Sequence, residues 1–233
     1  MNRPIELPLL PPRPPARWTA AFMQRMRRHL VLKVLGISLF MWVFFIGYFH
    51  LLRHPAYAVA VMPLTALDRW IPFQPQALAA YLTLWFYIGI APGLLQSLRE
   101  LIVYGLWAAA LCSAGLACFY FWPTAVPALA LDVSGNAGFS MLQGVDAAGN
   151  ACPSLHVATA MFSAIWIDHL LRRIRAAAWT RLLNAAWFAA IAWSTLAIKQ
   201  HVVLDVLAGA LLGIAFAAAS LRWRPGVGTG SPR

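Results

Sequence analysis

The sequence predicts an all-α polytopic membrane protein: six transmembrane helices, preceded by an amphipathic interfacial helix. Three observations carry this. Hydrophobic residues make up 61% of the 233-residue chain and charged residues only 11%, where a soluble domain carries about 25% charged residues. The mean hydropathy is +0.69. Apolar stretches recur at about 20 residues, the length a helix needs to cross a bilayer.

Taken in order, residues 1–17 are proline-rich, with Pro11-Pro12-Arg13-Pro14-Pro15, and read as an extended tail. Residues 18–32 read as a basic interfacial helix, with Trp18, Phe22, Met26 and Leu30 on one face and Arg25, Arg27 and Arg28 elsewhere. The first span is expected at 33–52. The polar lead is too long, and the apolar run too full, for a cleaved signal peptide. In 53–76, His54-Pro55, Pro63, Pro72 and Pro75 punctuate an apolar run containing Asp68 and Arg69. Its apolar part is too short to span, so it is expected to lie in the interface or dip back. Further spans are expected at 77–97, 102–122, 153–171, 182–200 and 202–221. The one long loop is 123–152, rich in Gly, Ala and Asp. No internal repeat is visible. The domain reading is a tail and interfacial helix over 1–32, a membrane catalytic domain over 33–222, and a short cytoplasmic tail over 223–233.

The net charge of +11 does not imply nucleic acid. The cations sit in short clusters beside the spans, and no nucleic-acid motif is present. They fit the positive-inside rule and attraction to anionic lipid heads. With the N-terminus inside, 15 of the 18 Lys and Arg residues fall on the inner side. Only Arg53, Arg69 and Lys199 fall outside. Both termini are then cytoplasmic, and Asp68, His156, His201 and Asp205 share the outer side with those three. The expected location is a bacterial inner membrane with the site on its periplasmic face. Cys112, Cys118 and Cys152 show neither metal spacing nor a disulfide framework.

The candidate chemistry sits at two helix mouths. His201 and Asp205 are four apart and share a helix face. A carboxylate on one imidazole nitrogen fixes the tautomer and leaves the other nitrogen free to attack phosphorus. An isolated His-x-x-x-Asp is more often a helix-end pair with no role. Here His156 lies on the same side, and ionisable groups at membrane depth are costly enough to imply function. Pro153-Ser154-Leu155-His156 reads as a helix start, and helix N-termini bind anions. A phosphate there would meet backbone N–H groups, the Ser154 hydroxyl and Lys199, with His156 protonating the leaving oxygen. Ser154 also reads as a simple helix cap, and Lys199 as an interfacial lysine that snorkels.

Ser154-Leu155-His156, together with Ser194-Thr195 and the run Lys199-Gln200-His201-Val202-Val203-Leu204-Asp205-Val206-Leu207-Ala208-Gly209, resembles the second and third motifs of the type 2 phosphatidic acid phosphatase superfamily, relatives of vanadium haloperoxidases. The closer likeness is to its inositol phosphorylceramide synthase-like branch. There the second motif reads Pro-Ser-Leu-His, and the third carries Lys-Gln-His before the Asp. Leu67-Asp68-Arg69-Trp70-Ile71-Pro72-Phe73-Gln74-Pro75 is similar to an upstream element of that branch. The resemblance covers about residues 60–215. It implies a six-span fold with His201 as nucleophile, Asp205 as its orienter, His156 as general acid and Ser154 on a phosphate oxygen. Two departures stand out. The first superfamily motif, Lys followed six residues later by Arg-Pro, is absent. Thr195 occupies the position of the Arg expected six residues before the nucleophile. Phosphate charge would then fall to Lys199 and Arg69, beside Asp68.

The expected function is a lipid phosphatase or head-group phosphotransferase working through a phosphohistidine, without cofactor or metal. Its partners are the bilayer, a lipid phosphate, and water or a polyol as acceptor. Two alternatives stand beside it. One is a non-catalytic lipid-binding or transport protein that retains the fold. The other is a metal site made of His156, His201 and Asp205.

Overall fold

The computed structural model describes residues 18–127 and 150–223. Most of them are helical. The N-terminal helix α1 spans Trp18–Arg27 and α2 spans Leu30–Arg53. A short strand β1 (Ala60–Val61), helix α3 (Ala66–Trp70) and a 3-10 turn (Pro75–Ala77) follow. Next come α4 (Leu78–Leu82), α5 (Leu84–Leu94) and α6 (Leu98–Phe121). Strand β2 (Thr124–Ala125) precedes α7 (Leu155–Arg173), α8 (Ala178–Ala197) and α9 (Val203–Arg222). The expected tail at 1–17, all but Trp223 of the expected tail at 223–233, and most of the expected 123–152 loop lie outside the described residues.

Among the described residues, four helical stretches are long and apolar enough to cross a membrane: Leu30–Arg53, Pro75–Leu94, Leu98–Phe121 and Val203–Arg222. Helices α7 and α8 are comparable in length, at 19 and 20 residues, but less apolar. Their polar side chains find partners inside the bundle. Asn184 on α8 donates to the Ala164 carbonyl at 2.9 Å and accepts from the Tyr87 hydroxyl at 2.8 Å. Trp166 on α7 donates to Ser220 on α9 at 2.9 Å. A polar group at membrane depth has to be satisfied within the protein, so α7 lies in the interior and α8 turns its polar face inward, with Trp179, Leu182, Leu183 and Trp193 facing outward. Eleven of the 19 residues of α7 are buried, whereas α2 buries only Lys33 and Leu52.

The single element expected over 77–97 is broken. Thr83 separates α4 from α5, its hydroxyl donating to the Ala80 carbonyl at 2.6 Å and accepting from Trp187 at 2.9 Å. A threonine that bonds back to the preceding turn bends a helix. The expected irregular segment 53–76 contains α3, which opens with a capping box: the Thr65 hydroxyl accepts from the Asp68 N–H while Asp68 accepts from the Thr65 N–H. Strands β1 and β2 pair in parallel, and Asn150 bridges to Thr124. This small ladder ties the ends of α2 and α6 to the chain entering α7.

Helices α7 and α9 pack backbone against backbone. Gly209 and Gly213, four apart on α9, face the backbone of Ser154 and Ala158 on α7. A Cβ at Gly209 would collide with the Ser154 carbonyl oxygen, and one at Gly213 would meet the Ala158 carbonyl at 2.5 Å. Small residues spaced by four let two helix backbones approach, so that dispersion contacts replace the hydrophobic force that lipid removes. We expect Gly209→Val to lower thermal stability in detergent by about 1–3 kcal/mol, the usual cost of overpacking. Activity should fall alongside, because this contact sets the site's width. An unchanged melting temperature would show that the helices do not approach as described.

Candidate active site

On α7, His156 and the basic residues occupy opposite ends. His156 is in the first turn, while Asp168, Arg172 and Arg173 lie at the far end, about 18–25 Å away at 1.5 Å per residue. Asp168 holds Arg172 at 2.7 Å and Arg181 at 2.6 Å, and Glu100 lies 3.6 Å from Arg173. The chemistry-bearing residues collect at the other end, where α7 and α9 both begin.

Both starts are fixed locally. Ser154 caps α7, its hydroxyl oxygen accepting from the Val157 N–H at 3.3 Å. Its own N–H donates to the Asp205 carbonyl at 3.0 Å, joining the two helix starts. Helix α8 ends at Ala197 and the chain turns through Lys199, which adopts a left-handed backbone with φ 61°. The Thr195 carbonyl accepts from both the Gln200 and His201 N–H groups, at 3.1 and 3.2 Å. Thr195 thus shapes the turn that presents His201. Its own hydroxyl bonds to the Ala192 carbonyl at 2.8 Å.

Four side chains then run in series. Tyr81 Oη lies 2.6 Å from His156 Nε2. His156 Nδ1 lies 3.2 Å from His201 Nε2. His201 Nδ1 lies 3.1 Å from Asp205 Oδ2. Neutral rings satisfy this chain with one proton per link, pointing from the tyrosine to the carboxylate. Asp205 is fully buried, and its Oδ1 has no hydrogen-bond partner among the described residues. A buried carboxylate with a single partner is costly as mere structure. Placed behind His201, it stabilises the ring once that ring turns cationic.

The sequence expectation placed His156, His201 and Asp205 at one site, and the structure brings them together. The other four expected residues take different positions. Ser154 is fully buried beside Gly209. Lys199 Nζ donates to the carbonyls of Asp68, at 2.9 Å, and Ile71. Burial holds the Lys199 pKa below the ordinary lysine value, against the opposing pull of Asp68. Asp68 Oδ2 completes the α3 capping box, and Oδ1 accepts from the Val203 N–H at 2.8 Å, the first residue of α9. Arg69 is exposed on α3. The strap 65–77 is therefore bound over the turn between α8 and α9, with Gln74 N–H also donating to the Ala197 carbonyl at 2.9 Å.

Tyr81 was not among the sequence candidates. It lies on a five-residue helix with no motif around it, and one tyrosine in an apolar run carries no signal. The Thr65-Ala-Leu-Asp68 capping box did carry one, and it accounts for part of what Asp68 does. Among the described residues, no group of three or more His, Cys, Asp or Glu side chains is arranged to hold a metal ion. His156, His201 and Asp205 follow one another in line and do not converge.

An apolar cleft leads to this series. A cavity of about 240 Å³ reaches His156 and Tyr81, lined by Phe44, Phe45, Trp85 and Ile88 among others. A second, of about 480 Å³, continues along α2, α5, α6 and α7 to Lys33. The two share Phe40, Met41, Ile88, Cys112 and Thr159.

The family model of the PAP2 superfamily matches residues 101–228, more than half of the chain and the part that holds Ser154, His156, Lys199, His201 and Asp205. The chain belongs to the PAP2 superfamily. That membership supports phosphatase-type activity on phosphate esters, and with the four apolar helices it makes the chain an integral membrane protein. No curated protein and no solved structure gave a match.

Lys199 and Asp68 generate a prediction. Lys199→Met should lower activity and loosen the strap, detected as faster proteolysis of residues 62–77. Lys199→Arg should recover part of both, since a guanidinium can still reach the carbonyls. Lost activity with an unloosened strap would instead assign the ammonium to the substrate.

Proposed function

We propose that this protein is a membrane lipid phosphatase or head-group phosphotransferase acting through a phosphohistidine on His201. The observation that carries it is the series His156–His201–Asp205 at the head of an apolar cleft. His201 Nε2 attacks phosphorus with its lone pair. The bond from phosphorus to the leaving oxygen breaks with its electron pair on oxygen, and the His156 imidazolium supplies that oxygen with the Nδ1 proton. Asp205 stabilises the cationic ring of phosphorylated His201. An acceptor then attacks the phosphohistidine and returns its proton to His156. Water as acceptor makes a phosphatase, and an alcohol makes a transferase. The inositol phosphorylceramide synthase-like motifs favour an alcohol, such as a polyol.

The proposed substrate is a lipid phosphate with its tail in the cleft and its head at the His pair. Ser154 and the N-termini of α7 and α9 would serve the phosphate oxygens. Arg69 would supply charge from the mouth, with Lys199 and Asp68 acting through the strap. Six spans, formed by α2, α4 with α5, α6, α7, α8 and α9, would place the site on the outer face of a bacterial inner membrane. The Lys and Arg asymmetry supports that orientation.

One observation favours the competing reading of a non-catalytic lipid-binding or transport protein. Thr195 and the engaged Lys199 leave fewer cations for a phosphate than the superfamily motifs would. A single assay separates the two. Purified protein in mixed micelles should release phosphate from long-chain lipid phosphates, or move it to an added polyol. His201→Ala should remove at least about 99% of this, since one catalytic group is commonly worth 10²–10⁴-fold. An acid-labile, base-stable phosphate should be trappable on His201. Binding without turnover in wild type would favour the non-catalytic reading.

Orientation is tested separately. In a background lacking Cys112, Cys118 and Cys152, Ala58→Cys should react with an impermeant thiol reagent added outside intact cells. Ala178→Cys should not. The opposite labelling would put the chemistry on the cytoplasmic face.

A further inference from the structure

Outside the proposed catalytic group, the Tyr81 hydroxyl makes one close contact with His156. Tyr81 is 5% exposed and lies 20 residues before the segment matched by the family model. Its ring lies 4.9 Å from the His156 ring at 39°, and Trp85, one turn later, approaches the same imidazole edge-on at 6.4 Å. The imidazole is therefore held on two sides by aromatic rings and at Nε2 by a hydroxyl at 2.6 Å.

We propose that Tyr81 is a positioning residue for the general acid: it holds His156 so that Nδ1 faces the reacting phosphoryl group in both protonation states. This rests on the phosphohistidine reading of His201. A tyrosine hydroxyl both donates and accepts. In the resting arrangement, with His156 neutral, Tyr81 O–H donates to Nε2, and the ring's single proton sits on Nδ1, toward His201. When His156 is the imidazolium, Nε2–H donates to Tyr81 Oη, and Nδ1–H is the proton given up. After transfer the ring keeps its Nε2 proton, still bound to Tyr81 Oη, and Nδ1 is open to accept the proton of the incoming water or alcohol. The proton count closes over the cycle, and Tyr81 loses none. Without the hydroxyl, Nε2 loses its partner in every protonation state, and nothing polar holds the ring with Nδ1 toward the phosphoryl group.

The structure shows why the hydroxyl is there. Ala77 and Tyr81 pack with Ala197 and Ile198 in a small apolar cluster flanked by Ile71, Phe73 and Leu78. The strap bonds from Lys199, Asp68 and Gln74 fix that cluster to the turn that presents His201. One turn of chain thus sets both the nucleophile and the partner of the acid.

The test is Tyr81→Phe in the full-length purified protein, which keeps the ring in its cluster. Two phosphate esters are compared, an alkyl lipid phosphate and a p-nitrophenyl phosphate. An alkoxide must be protonated as it leaves, whereas p-nitrophenolate leaves without help. The quantity read is kcat/KM, which reports the first step and not the resolution of the phosphohistidine. The expected loss is about tenfold to a hundredfold for the alkyl ester, part of the 10²–10⁴-fold an acid supplies. The aryl ester should lose less than about threefold. Equal losses for both esters would make Tyr81 a structural residue and overturn the proposal, as would no loss for either. A second readout needs no turnover. The ring-nitrogen ¹⁵N signals of His156 should move in Tyr81→Phe while the melting temperature is held, and unmoved signals would also overturn the proposal. Failure of the underlying reading looks different, because His201→Ala would then keep its activity while the ¹⁵N signals still report the Tyr81 bond.

Discussion

The packing of α7 against α9 is the contact on which the rest of the structure depends. His156 belongs to one helix, and His201 with Asp205 to the start of the other. Their ring nitrogens meet at 3.2 Å only because Gly209 and Gly213 let the backbones approach. A side chain at either position would push the helices apart by about its own thickness, more than a hydrogen bond tolerates. The bond from Ser154 N–H to the Asp205 carbonyl then fixes their register along the axis. Spacing and register together are enough to build the reactive pair, and neither requires the residues at the far end of the bundle.

The polar residues around the mouth divide by what they touch. Asp68 is saturated by the Thr65 N–H and hydroxyl and the Val203 N–H. Lys199 is engaged by two carbonyls. Both hold chain against chain. What remains for an anion is mostly dipolar, from the starts of two long helices, with Arg69 exposed on α3. Arg53 lies over the Phe49 ring at 5.8 Å, and Phe49 lines the cavity that reaches His156. Such a site binds phosphate less strongly in the ground state than one with several fixed cations. In the proposed reaction this need not slow the chemistry. Only stabilisation greater in the transition state than in the ground state raises the rate of the chemical step.

Much of this was legible in the sequence, and the parts that were not share a cause. His201 and Asp205 could be paired because a helix puts residues four apart on one face. His156 joined them because the apolar runs and the cation count put both helix starts on one side. The starts of α7 and α9 fell within one or two residues of expectation, since Pro153 and the polar turn 199–201 mark them. The break at Thr83 was not legible, because a threonine inside a helix need not bond back to the preceding turn, and the bond from Trp187 that this one also accepts comes from 104 residues away. The role of Lys199 was not legible for the same reason, its partners being backbone carbonyls that carry no residue identity. Tyr81 combines both difficulties, with a short helix placed by tertiary contacts and a partner 75 residues on. Sequence periodicity reports which face of a helix is apolar, and says little about which distant atom a side chain meets.

The cleft also shapes how a lipid would be selected. Burying a tail from water is worth about 0.8 kcal/mol per CH₂, but a lipid tail starts in the bilayer, which is as apolar as Phe40, Met41 or Ile88. Moving it between α2 and the inner helices therefore gives almost no hydrophobic gain. In the proposed reaction the cleft contributes alignment more than affinity. It lets the tail run along α2 while the phosphate rests where His156 and His201 meet. The place of α2 at the edge of the bundle, where it buries only Lys33 and Leu52, fits that role, because a chain can enter beside it without unpacking the α7–α9 pair. Discrimination between lipids would then come from the head group at the mouth, where Arg69, the strap and the helix starts meet it, and much less from the length of the tail.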